Sequence, residues 1–234
     1  TLPATSIGCT NSSTIPVTVI VNPIPQVTVN TINLCTGSSQ SMTATPNVSG
    51  TYSYSWTVPP GVTNPGNVSN FSASVAGNYS VIITNTATTC ASLSAFGTVT
   101  VNPLPLVSVN SPTVCAGANA TLTATPSAAG SYTYAWTVPT GVTSPGNVAS
   151  FTTTVAGTYS VIITNTNTGC ASLSASGTVT VNPIPVVSVN SSSICAGATA
   201  TITATPSLPG TYAFAWTVPV GVTNPGNVAS FSSS

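Results

Sequence analysis

The sequence predicts an all-β fold: tandem antiparallel β-sandwich modules of about six or seven short strands each, set in an elongated array. Three observations carry this expectation. Apolar and polar residues alternate with period two in short runs, turn signals separate the runs about every 8–12 residues, and no window shows useful helical periodicity. The whole pattern then recurs after 80 residues: of the 51 positions from Thr51 to Val101, 37 carry the same residue 80 positions later.

Taken in order along the middle copy, Leu122 and Ala124 alternate with Thr121, Thr123 and Thr125, which puts one set on a buried face and the other toward water. Tyr132, Tyr134, Trp136 and Val138 then alternate with Thr133, Ala135 and Thr137 as a core strand. Ser144-Pro145-Gly146-Asn147 has Pro and Gly where a type II turn needs them, and Ala156-Gly157 precedes a strand carrying Tyr159, Val161 and Ile163. Val179 and Val181, set against Thr178 and Thr180, close the copy. The phase divides the chain into a C-terminal part of one repeat (1–22), two complete repeats (23–102 and 103–182) and an N-terminal part of another (183–234), as expected of an interior piece of a longer protein.

Among its 234 residues the chain has no Lys, Arg, Asp, Glu or His, so its exterior is built from Thr, Ser, Asn and backbone amides. The apolar share of 41%, arranged in patterned Val, Ile and aromatic residues, separates it from disordered chains, which combine low hydrophobicity with high charge. No apolar run approaches the ~20 residues of a spanning helix, so no membrane insertion is expected in this segment. General acid–base catalysis needs His or a carboxylate, and a nucleophilic serine needs a base beside it; the chain is therefore not expected to be an enzyme. Nucleic-acid binding is excluded on the same ground, because it relies on Lys and Arg. No metal or other cofactor is expected: there are no carboxylates for a hard cation, and no His or Cys-x-x-Cys for zinc. Gly117 and Gly197, in "CAGA", read as tight-turn residues. Trp56, Trp136 and Trp216 could stack on sugars, but their alternating context makes core packing the stronger reading, together with Tyr79 and Tyr159. Asn47, Asn67, Asn78 and Asn119 stand in glycosylation sequons, which Ser/Thr/Asn-rich chains also produce by chance.

The runs "GTYSVIITNTNTGC" (Gly157–Cys170), "YTYAWTVPTG" (Tyr132–Gly141) and "ICAGATATITATP" (Ile194–Pro206) resemble the immunoglobulin-like, PKD-like repeats of large secreted Bacteroidota surface proteins of the gliding-motility adhesin type. The resemblance covers essentially the whole chain and implies an immunoglobulin-like sandwich at an extracellular or cell-surface location. One property does not carry over. Calcium-rigidified joints need acidic ligands, which this chain lacks.

In the topology implied by that resemblance, the last strand of one repeat ends at Val181 and the first of the next starts near Val186, leaving only Asn182–Pro185 between them. The prolines of the three joints (Pro23 and Pro25, Pro103 and Pro105, Pro183 and Pro185) favour an extended, semi-rigid spacer, and the plainer reading is an ordinary linker that contains prolines. Each repeat would advance the chain by ~35–45 Å. Six cysteines in an extracellular-type β protein suggest disulfides. Two patterns stay open: Cys35 with Cys90 and Cys115 with Cys170 inside each repeat, or Cys35 with Cys170 from one repeat to the next. In the second, Cys9 and Cys195, like Cys90 and Cys115, are left without partners within the segment.

Edge strands usually carry charges that prevent sheet-to-sheet pairing, and none is present here, so self-association into fibres or bundles is expected. The leading expectation is a structural repeat region of an extracellular filament or cell-surface stalk, stiffened by its prolines and disulfides. The alternative is an adhesin whose repeats bind glycans or surfaces directly, through loops such as Thr143–Ala149.

Overall fold

The computed structural model describes residues 17–234. Cys9 and most of the segment 1–22 lie outside the described residues. Chain contacts form two compact units: one runs to Leu104 and includes Thr166–Cys170, and the other comprises Pro105–Asn165 and Ala171–Ser234. No helix occurs among the described residues.

In the first unit, seven strands follow the alternation of the sequence: β1 (Val27–Val29), β2 (Ile32–Cys35), β3 (Gln40–Pro46), β4 (Tyr52–Thr57), β5 (Asn70–Ala73), β6 (Gly77–Asn85) and β7 (Ala95–Asn102). They make two sheets, ordered β1-β3-β5 and β2-β7-β6-β4. All pairings are antiparallel except β2 with β7, which is parallel from Ile32 opposite Val99 to Cys35 opposite Asn102. The inward residues of both sheets, among them Ile32, Met42, Trp56, Tyr79, Val81 and Val99, form one core, while alternate residues face water.

The second unit repeats this plan with β8 (Val107–Val109), β9 (Thr113–Cys115), β10 (Ala120–Pro126), β11 (Tyr132–Thr137), β12 (Ser150–Thr153), β13 (Gly157–Asn165) and β14 (Ala175–Asn182). Its sheets run β12-β10-β8 and β11-β13-β14-β9, again with one parallel pair, β9 with β14. The same unit also contains the three-stranded sheet of β15 (Val187–Val189), β16 (Ala200–Pro206) and β17 (Ser230–Ser233). A three-stranded sheet facing a four-stranded one, with strand exchange between them, is the immunoglobulin-like sandwich.

Each core has the same aromatic centre. Trp56 and Trp136 are 3% and 8% exposed; their indole N–H groups donate to the carbonyls of Val68 and Val148 at 2.8 Å, and each meets a phenylalanine edge to face, Phe71 at 5.0 Å and Phe151 at 4.9 Å. Tyr79 and Tyr159 are fully buried, and their hydroxyls donate four residues back to the carbonyls of Val75 and Val155 at 2.9 Å. This resembles the tyrosine corner of immunoglobulin domains. Trp216, expected in the core, is only half-buried, although it keeps its bond to the Val228 carbonyl and its contact with Phe231. The reason is local: β4 and β11 are held by ladders to β6 and β13, whereas Tyr212–Thr217 has no such ladder among the described residues.

Gly97 and Gly177 mark where β7 and β14 approach the neighbouring sheet. A Cβ at Gly177 would overlap the Asn110 carbonyl oxygen and stand 2.7 Å from Val109 Cγ1. The glycine is thus required by close approach of backbone to backbone.

Burial raises the pKa of the Tyr79 phenol above its ordinary value by desolvating the phenolate. A raised folded pKa means that the folded chain holds its proton longer than the unfolded one. This group's contribution is therefore whole below the unfolded value of about 10 and is lost as pH rises through that value and above it. Acid has no side-chain carboxylate to titrate. The urea midpoint is accordingly expected to be flat from about pH 3 to 7 and to fall above about pH 10, with Tyr79→Phe removing part of the alkaline loss. An acid transition in far-UV circular dichroism is the contrary result.

Candidate functional site

Two features stand in for the charges and ions that this chain lacks. One is covalent. Cys35 and Cys170, 135 residues apart, form a disulfide with a Cα separation of 5.5 Å. The alternative pairings, Cys35 with Cys90 and Cys115 with Cys170, therefore do not form. The parallel pairing of β2 with β7 positions Cys35. It sets Cys35 opposite Asn102, where the Thr36 N–H donates to the Asn102 carbonyl at 2.8 Å and the Asn102 side chain donates to the Leu34 carbonyl at 3.1 Å. Cys170 closes the turn between β13 and β14 and is fully buried, its N–H donating to Thr168 Oγ1 at 3.3 Å. The turn segment Thr166–Cys170 belongs by its contacts to the same compact unit as Cys35.

The remaining described cysteines are free thiols. Cys90, in the turn between β6 and β7, is half-buried, with Sγ 4.0 Å from the Asn22 carbonyl oxygen and 3.7 Å from that of Thr88. Cys115 is exposed and ends β9 opposite Asn182, whose carbonyl accepts from the Ala116 N–H at 2.8 Å. Cys195 is exposed in the equivalent turn. Of the joint prolines, Pro25 is buried, Pro105 is half-buried, and Pro23, Pro103, Pro183 and Pro185 are exposed. No cluster able to hold a metal ion occurs among the described residues.

The second feature is a set of asparagine caps on the sheet edges, which sequence reasoning missed. Asn30 accepts from the Thr43 N–H at 2.7 Å and donates to the Ser41 carbonyl at 3.0 Å, so its amide continues β1 along the flank of the central strand β3 that β1 leaves unpaired. Asn110 does the same to Thr123 and Thr121, and Asn190 to Thr203 and Thr201. On the opposite sheet, the edge strand β4 donates its Tyr54 N–H to Asn67 Oδ1 at 2.7 Å, and its Trp56 carbonyl accepts from Asn64 Nδ2 at 2.7 Å. Asn147 caps Tyr134 in the same way. Edges that the sequence left unguarded are thus partly closed by neutral amides, which occupy backbone groups that a neighbouring chain would otherwise pair.

Removing these caps tests their contribution. Asn110→Ala with Asn147→Ala is expected to destabilise the second unit by about 1–3 kcal/mol, since three hydrogen bonds are lost from partly solvated groups. Aggregation on warming, read by light scattering, is expected to increase. Unchanged scattering would mean that the caps do not protect the edges.

The outward faces are ladders of hydroxyls. Thr121 stands opposite Thr152, Thr123 opposite Ser150 and Thr125 opposite Ser108, with Thr123 and Ser150 hydrogen-bonded at 3.0 Å.

No family model matches the chain, and no curated protein matches it. Among solved structures it is similar to a three-Ig-domain titin fragment in an E-to-A mutated variant, at 16% identity over 79% of this chain and 76% of that one, with a TM-score of 0.45. It is also similar to a titin I-band fragment, at 13% identity over 81% and 78% with a TM-score of 0.43. A third likeness is to the N-terminal four Ig domains of a Dscam1 isoform, at 18% identity over 70% of this chain and 48% of that one, with a TM-score of 0.30. The strand order and the pairing of sheets make this chain a tandem repeat of immunoglobulin-like β-sandwiches.

Proposed function

We propose that these repeats, bounded at 23–102 and 103–182, form a structural region of an extracellular filament or cell-surface stalk, of the kind carried by large Bacteroidota surface proteins. The observation that carries this reading is the Cys35–Cys170 disulfide, which fastens the turn Thr166–Cys170 of the second repeat into the compact unit built on the first. Two prolines at each joint limit backbone freedom, and the link requires neither ions nor a particular pH. A disulfide of this kind persists in an oxidising compartment, which supports an extracellular location. The chain offers no acid, base or activated nucleophile for catalysis.

Small-angle scattering of the chain with and without reductant tests the reading. A stiff particle that loosens on reduction is the expected result; repeats that tumble independently under oxidising conditions would sink it.

A second reading, direct adhesion to glycans, is favoured by the hydroxyl ladders of the outward faces. Specific capture on a glycan array by the oxidised chain would support it.

A further inference from the structure

We propose that the outward face of β4, β6 and β7 carries a binding site for a neutral saccharide, with the Phe96 ring as its stacking platform and Asn78, Ser80 and Thr98 holding the sugar's hydroxyls. This rests on the second reading above, adhesion to glycans, and assigns that adhesion to the first repeat and to a face other than the hydroxyl ladders.

The site stands out as a difference between two repeats that otherwise match. Phe96 on β7 is 69% exposed, and its counterpart in the second repeat is Ser176. Ile82 on the same face and Leu93 just before β7 do not distinguish the repeats, since Ile162 and Leu173 are exposed in the same way. Two further exchanges fall on this outward face: Asn78 stands where the second repeat has Thr158, and Ser55 where it has Ala135. The first repeat thus gains an exposed ring together with an amide and a hydroxyl. Core packing does not call for the exchanges, because the buried Tyr79, Val81 and Val99 have identical buried counterparts in Tyr159, Val161 and Val179.

The strand ladders bring these groups together. Phe96 lies opposite Ser80, which lies opposite Thr57 on its other side, and Thr98 lies opposite Asn78. Phe96 and Asn78 are therefore diagonal neighbours across an antiparallel pair, about 7–8 Å apart and within reach of one ligand. The Thr98 hydroxyl donates to Asn78 Oδ1 at 3.1 Å, which orients the amide and leaves its two N–H donors for a ligand oxygen.

A pyranose with equatorial hydroxyls presents a face of C–H bonds and a rim of hydroxyls. The C–H face suits the negative face of an exposed aromatic ring, and the rim suits the hydroxyl and amide groups set around it. A protein partner is served less well, because the core of such an interface is a contiguous apolar surface, whereas here Ser80, Asn78 and Thr98 surround the ring. Charge then selects among sugars. The chain has no Lys or Arg to pair with a sulfate, phosphate or uronate, so a charged glycan would be desolvated on this face without a counter-charge. The ligand class is a neutral chain of equatorially substituted pyranoses.

Titration calorimetry of the full 234-residue chain with cellohexaose, chitohexaose and sulfated cellohexaose tests the site. Phe96→Ser is the decisive variant: Ser176 already fills the equivalent place in a complete sandwich, and far-UV circular dichroism should show the variant folded. A neutral hexaose is expected to bind, Phe96→Ser to weaken it about tenfold or more, and the sulfated form to give no binding. Thr158→Asn with Ser176→Phe should create a second site, read as a doubled stoichiometry. Equal affinity in Phe96→Ser, equal binding of the sulfated form, or no binding of either neutral hexaose would overturn the inference. So would self-association that Phe96→Ser abolishes without any sugar binding, which would make the ring a contact between copies. The two ideas separate cleanly: neutral-sugar binding that survives Phe96→Ser keeps the adhesion reading and returns it to the hydroxyl ladders, whereas a chain inert both in titration and on the glycan array removes that reading as well.

Discussion

Trp136→Ala is expected to destabilise the second unit by about 3–5 kcal/mol, the range for emptying a large aromatic site in a core. Three losses combine. The buried indole leaves a void between the two sheets, the Val148 carbonyl loses its donor, and Phe151 loses its edge-to-face partner. A domain of ordinary size has about 5–15 kcal/mol in all, so the variant should melt this sandwich near ambient temperature while the first unit remains folded. Calorimetry should resolve one transition moving down and one staying. Trp136→Phe restores most of the apolar volume but not the N–H, so its cost should be nearer 1–2 kcal/mol. Trp216→Ala, at a half-buried position with the same two partners, should cost less than Trp136→Ala. An equal cost at the two positions would show that burial is not what sets the effect.

The elements that could be read from the sequence are those whose cause is local. The alternation of Tyr132, Tyr134 and Trp136 is the geometry of a strand with one face in a core, and the Pro145-Gly146 pair is the chemistry of its turn; the structure has β11 and a positive φ at Gly146 in those places. What stayed hidden depends on residues far apart in the chain. β2 and β9 are only four and three residues long, too short to show a period, and they exist because a parallel neighbour pairs with them. Asn147 reads as a turn residue and Asn67 as a sequon asparagine, since nothing local reveals that each amide reaches a strand edge 13 positions earlier. Equal spacing concealed the cysteine pairing as well. In an in-phase repeat every cysteine has equivalent partners at several separations, and only the position of Cys35 opposite Asn102 selects among them. The expectation of self-association into fibres or bundles rests on missing charge alone, since neutral amides acting as edge caps leave no compositional trace.

Removing the Cys35–Cys170 link, by Cys35→Ser with Cys170→Ser or by reduction, is expected to have the largest mechanical effect with the least effect on secondary structure. A loop of 135 residues gives a chain-entropy contribution of up to about 5 kcal/mol, an upper value because the unfolded chain is not a free coil. Replacing both cysteines together matters: Cys170 is fully buried, and a single change would leave an unpaired thiol in its place and confuse the comparison. Far-UV circular dichroism should be unchanged, because both cores are complete without the sulfurs. Two other readouts should move. The first unit should unfold at lower denaturant concentration, and the segment Thr166–Cys170 should lose amide protection and become a proteolysis site, since its packing belongs to that unit. If protection in the segment survives reduction, noncovalent contacts alone hold it, and a stiff stalk would have to draw its rigidity from the prolines.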